Sequence, residues 1–125
     1  MEFSKPFNKY FDHTLLKADA TQKEIARLCK EAIEYDFYSV CVNPCHVFTA
    51  KKLLAGTDVK VCCVAGFPLG ASEAGIKLAE AESACKNGAE EIDMVINIGA
   101  VKDGNFNQAE ESSRWIFQHS IHGFS

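Results

Sequence analysis

Three short β-branched runs separated by stretches of helical periodicity constrain this chain more than any other feature. "YSVCVN" (38–43), "VKVCCVAGF" (59–67) and "EEIDMVINI" (90–98) read as strands, each bounded by turn residues. Between them the apolar residues return every three or four positions. Thr21 and Glu24 in "TQKE" fit a capping box, and Ile25, Leu28, Cys29, Ala32 and Ile33 then share one face of a helix over 21–35. Asn43-Pro44 suits the start of a second helix, with asparagine as its cap, running through Val47, Ala50 and Leu54 to Gly56. A third begins near Ser72, places Ala74, Leu78, Ala81 and Cys85 on one face, and ends at Gly88. "GAVKDGN" (99–105) reads as a loop, and "FNQAEESSRWIFQ" (106–118) as a last helix.

Strands separated by helices imply parallel pairing through right-handed crossovers. The expected fold class is therefore α/β, with parallel strands, about three β-α units and an N-terminal helix. The 125 residues suit a single domain, 1–125.

Alternation along the third strand sets Ile92, Met94, Ile96 and Ile98 on one face and Asp93, Val95 and Asn97 on the other. The aliphatic face belongs under the helices, so a carboxylate and an amide are left on the opposite side. The first strand divides similarly, with Val40 and Val42 opposed to Ser39, Cys41 and Asn43. In an α/β barrel such a polar set faces inward, toward the C-terminal mouth where active sites are built. A carboxylate partly desolvated there has its pKa raised by burial and lowered by a nearby ammonium, which is how a proton-transfer group is tuned. The competing reading of a lone strand aspartate is structural, accepting hydrogen bonds from a loop.

Composition narrows the function classes. Thirteen Lys and Arg against seventeen Asp and Glu give a net charge of −4 with the signs interspersed, which favours neither nucleic acid nor an anionic membrane as a partner. No apolar run approaches the ~20 residues of a membrane span, and the N-terminus lacks a signal-peptide pattern, so a cytoplasmic location is expected. Six cysteines lie mostly within apolar segments and read as small buried hydrophobes. "CVNPCH" (Cys41, Cys45, His46) lacks the spacing of a zinc site, and no metal or cofactor is expected.

"FDHTLLKADAT" (11–21), "YSVCVNP" (38–44), "VKVCCVAGFPLGA" (59–71) and "KNGAEEIDMVINIGAVKDG" (86–104) resemble, in order and spacing, the first half of deoxyribose-phosphate aldolase, over roughly residues 11–106. The resemblance implies part of a TIM (β/α)8 barrel, about half of one given the ~250 residues of a whole barrel. It also implies a class I aldolase that joins acetaldehyde to glyceraldehyde 3-phosphate, or cleaves 2-deoxyribose 5-phosphate, through a lysine Schiff base. On that resemblance Asp93 matches the proton-relay aspartate, Cys41 a cysteine at the substrate pocket, and Asp12, Thr14 and Leu16 residues at the pocket's edge.

The family's Schiff-base lysine lies in a "KTSTG"-like segment that has no counterpart in these residues. Of eleven lysines only Lys60 falls in an expected strand, at its N-terminal end, and none is placed by the pattern in a dry pocket that would depress its pKa. The chain alone is thus expected to be inactive, with a phosphorylated sugar as substrate only if another half completes it. Two alternatives compete with a lyase: a non-catalytic half-barrel that self-assembles, as a homodimer or higher oligomer, through open sheet edges and its inner face, or a small-molecule binder using Asp93 and Asn97. Residues 107–125 are expected to diverge from the family as a helical tail, with Trp115, Ile116 and Phe117 covering apolar surface.

Overall fold

The structure, a computed structural model, describes residues 7–105. Four parallel strands form one sheet in the order β1-β2-β3-β4: β1 (Asp12–Leu15), β2 (Ser39–Val42), β3 (Lys60–Ala65) and β4 (Glu91–Met94). The α/β class and parallel pairing are as the sequence implied, but among the described residues the strands number four rather than three. The additional strand, "DHTL", alternates in burial and is aligned residue for residue with β2, from Asp12 opposite Ser39 to Leu15 opposite Val42. Its own β propensity is low, and pairing supplies what local sequence does not.

Crossovers are made by α1 (Gln22–Glu34), α2 (Val47–Leu53, preceded by a 3-10 turn at Pro44–His46) and α3 (Ala74–Lys86). The capping box at the start of α1 is formed, with Thr21 Oγ1 accepting from the Glu24 N–H and Glu24 Oε2 accepting from the Thr21 N–H. Ile25, Leu28, Cys29 and Ala32 are buried on its inner face, whereas Ile33, expected beside them, is exposed. Asn43 does not cap the turn that follows β2; its Nδ2 donates instead to the Leu16 carbonyl oxygen at 3.1 Å, tying the end of β1 to the end of β2.

The buried face of α3 also differs from expectation. Lys77, Ala81 and Ala84 are buried, while Ala74, Leu78 and Cys85 are only partly covered. A lysine at the centre of that stripe rotates the helix relative to its apolar pattern.

The third expected strand is shorter than 90–98. β4 ends at Met94, Asn97 caps a short helix α4 (Ile98–Lys102) through its Oδ1 and the Ala100 N–H, and so the segment read as a loop is helical. Ile96 and Ile98, assigned to the helix-covered face, are 45% and 50% exposed for the same reason.

Val40, Val42, Val61 and Cys63 on one sheet face pack with Ile25, Leu28, Val47 and Ala50 of the helices to make the main core. The other face carries a small cluster of Cys41, Cys62 and Val64 with Leu16 against it. The expected helix over 106–118, with Trp115, Ile116 and Phe117, lies outside the described residues. Among those described, no helix is long and apolar enough to cross a membrane.

Candidate functional site

Register decides which side chains meet. Cys41 is opposite Thr14 on one side and Cys62 on the other, and Asp93 is opposite Val64. Residues two apart on each strand share its face. Asp12, Thr14 and Leu16 therefore lie with Ser39, Cys41 and Asn43, with Cys62 and Val64, and with Glu91 and Asp93, on the face turned away from the helices. All five residues expected at a site, Asp93, Cys41, Asp12, Thr14 and Leu16, fall on this one face.

They do not all converge. Asp93 and Cys41 do: Oδ2 of Asp93 lies 4.0 Å from Sγ of Cys41. Cys62, absent from the sequence-based set, joins them, and the three potential ligand atoms lie within 4.8 Å of one another. Leu16 packs against this group as its apolar wall. Asp12 sits lower on the sheet and accepts a hydrogen bond from the Ser39 hydroxyl, and Thr14 is exposed on the edge strand. The Tyr38 hydroxyl donates to Glu91 Oε1, which pushes the Tyr38 pKa up. Asp93 itself is exposed, not desolvated as the inward reading implied, while Cys41 and Cys62 are 4% and 1% exposed.

The two thiols are unequal. A hydrogen bond from Cys62 stabilises the Cys41 thiolate and draws the Cys41 pKa down, against burial and the Asp93 charge. The same bond, with burial added, pushes Cys62 up. On the opposite face burial alone raises Cys29 to about 11, and burial is the main reason that Cys63 rises to about 12, as suits inert core thiols. The "CVNPCH" residues diverge: Cys41 faces this site, Cys45 is exposed, and His46 is buried in the 3-10 turn.

One lysine departs from expectation. Lys77, on α3, is 2% exposed, its Nζ donates to the Val95 carbonyl oxygen at 2.9 Å, and burial lowers its pKa. A charged residue at helical spacing reads as solvated face, and only the long aliphatic stem made burial possible. Glu80, one turn on, accepts from the Gly66 N–H at 2.7 Å. Together they fasten the C-terminal ends of β3 and β4, between which Asp93 is presented. Lys60, as expected, is exposed at the foot of β3, and its Nζ lies 3.3 Å from Glu90 Oε2.

Comparison with known proteins bears on this arrangement. The family model described as DeoC/LacD family aldolase matches residues 7–117, which extends past the point near Asn107 where the resemblance was expected to fade. Deoxyribose-phosphate aldolase of Streptococcus pneumoniae (strain P1031) is 58% identical over 113 residues, a match covering 90% of this chain and 51% of that protein. Among solved structures, the aldolase QR15 superposes with a TM-score of 0.84 at 40% identity, over 89% of this chain and 49% of that one. The tetrameric deoxyribose phosphate aldolase of Aeropyrum pernix gives 0.74 at 28% identity, over 87% of this chain and 47% of that one. These structural neighbours are TIM-barrel aldolases, and the chain spans about half the length of the curated relatives and structures it matches.

Proposed function

Since the chain belongs to the DeoC/LacD family of aldolases, we propose that it supplies the proton-handling side of a class I aldolase centre acting on 2-deoxyribose 5-phosphate. The convergence of Asp93 and Cys41 at 4.0 Å on the helix-free face carries this reading. In the cleavage direction the C2–C3 bond of the open-chain sugar breaks as the C3 hydroxyl loses its proton, giving glyceraldehyde 3-phosphate and an acetaldehyde unit. Asp93, exposed at the upper end of β4, is a carboxylate that can take that proton directly or through a water and return it in the condensation direction. Cys41 and Leu16 form the pocket wall beside it, with Asp12 and Thr14 toward the edge.

The electron sink of a class I aldolase is a lysine amine condensed with the carbonyl. Among the described residues Lys60 shares the face of Asp93 by alternation but stands at the opposite end of its strand, paired with Glu90, and the buried Lys77 is engaged with a backbone carbonyl. On this reading the described residues bind and position, and the condensing amine comes from outside them. Borohydride reduction in the presence of acetaldehyde or 2-deoxyribose 5-phosphate, followed by mass analysis of peptides, tests this. No site-specific adduct is expected; a reduced adduct on one lysine, Lys77 above all, would show that the chain carries its own amine.

A second reading is supported by the sheet edges. Among the described residues β1 and β4 each pair on one side only, and Leu69, Ile96 and Ile98 are exposed near the upper end of the sheet. Unpaired edges and apolar surface favour self-association. The Aeropyrum pernix relative is tetrameric, and we infer that this chain also forms at least a dimer. A single monomeric species in sedimentation at micromolar concentration would contradict that.

A further inference from the structure

We propose that Cys41, Cys62 and Asp93 form a binding site for a thiophilic divalent cation of the zinc class, with two sulfur ligands, one oxygen ligand and a fourth position open to water. Three adjacent parallel strands present the ligands side by side. Cys41 and Cys62 are directly paired across β2 and β3, and Asp93 stands on β4 opposite Val64, two residues above the level of Cys62. Their ligand atoms are mutually within 4.8 Å, and the Cys41–Asp93 pair is at 4.0 Å. In a tetrahedral zinc site with Zn–S near 2.3 Å and Zn–O near 2.1 Å, ligand atoms stand roughly 3.5–3.8 Å apart. Closing the widest pair takes a movement of about 1 Å, which side-chain rotation shared between two ligands can supply.

The donor set selects the ion. Two thiolates and one carboxylate favour zinc and its heavier congener cadmium over magnesium or calcium, which require mainly oxygen. Val64 and Leu16 pack around the two sulfurs, so the site has a dry side that shields the sulfur ligands and a wet side where Asp93 meets solvent. Three protein ligands with an open fourth position is the arrangement of metal sites that admit an exogenous ligand. Binding is not redox chemistry: each thiol gives its proton to solvent as its sulfur bonds the metal, the Asp93 carboxylate bonds through oxygen, and two protons leave per ion bound. The site stands on its own geometry, not on the aldolase reading. The two uses compete, however, because an ion held by Asp93 and Cys41 occupies the groups assigned to proton transfer and to the pocket wall.

The test is titration of the reduced 125-residue protein with zinc or cadmium alone, without substrate, in a weakly coordinating buffer. The expected result is one ion bound per chain, two protons released, and a cadmium–thiolate charge-transfer band of the intensity of two sulfurs. Cys41→Ser, Cys62→Ser and Asp93→Asn should each weaken affinity at least tenfold, while Cys45→Ser and Cys85→Ser should leave it unchanged. Should either buried-cysteine variant lose its native circular dichroism, the exposed Asp93→Asn variant and the sulfur count of the unmodified protein decide. Absence of the band, a count other than two, or binding lost in Cys45→Ser would overturn the proposal.

Discussion

Lys77 Nζ donates to the carbonyl oxygen of Val95 at 2.9 Å, so the residue two beyond Asp93 is held by an amine buried in the helix that precedes β4. The bond turns a surface-type side chain into a fastening for the strand end that presents the site. Burial lowers the Lys77 pKa from the ordinary 10.5.

That shift has a defined sign in stability. Between the lowered folded value and 10.5 the unfolded chain binds more protons at this position, so the lysine's contribution rises with pH across that window. Urea unfolding of wild type and Lys77→Met from neutral pH upward should show the wild type gaining on the variant. At the alkaline end the variant should be less stable by about 1 kcal/mol, the cost of losing a donor to a half-buried carbonyl. A difference that is flat or shrinks with pH would contradict the role given to Lys77.

Two glycines near the site should respond differently to alanine. Gly66 has φ +67° and a Cβ there would meet Lys77 Cε at 2.9 Å, the movable end of a long side chain. Gly70 has φ +68° and its Cβ would stand 2.0 Å from the Ile96 carbonyl oxygen, which is backbone. Left-handed backbone costs both roughly 1–2 kcal/mol. Gly70→Ala should therefore be the more destabilising in thermal unfolding, with Gly66→Ala losing about 1–3 kcal/mol. The reverse order would show that the contact at Ile96 relaxes.

His13 of β1 and Arg27 of α1 both donate to Glu31, at 2.6 Å and 3.0 Å, and in that order hold its carboxyl below the ordinary 4.5. A lowered folded pKa contributes stability that is complete above 4.5 and disappears as pH falls through the folded value. Wild type should thus exceed Glu31→Gln at neutral pH and converge with it in acid, as measured by denaturant midpoint at each pH. Parallel acid limbs for the two proteins would refute the coupling.

The placement of Asp93 on the face turned away from the helices was legible from alternation alone, because "IDMVI" sets one polar side chain against large aliphatic neighbours, whereas its exposure was not. Cys62 was not legible. "VCCV" is apolar on both faces, buried throughout in a parallel sheet, and carries no phase from which to tell Cys62 from Cys63. β1 escaped notice because four residues of mixed polarity form a strand only against β2, and α4 because five residues after an asparagine cap resemble a loop. Lys77 was hidden by its charge. Local pattern thus located the crossovers and the polar face, while pairing register, which no window of sequence contains, brought the two thiols and the carboxylate together.

Asp93 is proposed to move a proton in an aldol reaction once a condensing lysine is supplied. The most direct measurement replaces the matching segment of the Streptococcus pneumoniae relative, 58% identical, with the residues of this chain and follows 2-deoxyribose 5-phosphate cleavage. The chimera should turn over, and Asp93→Asn in it should lower kcat by about 10²–10⁴-fold with a native thermal transition retained. A folded chimera without turnover, or one that cleaves at an unchanged rate with Asp93→Asn, would rule out that role for Asp93.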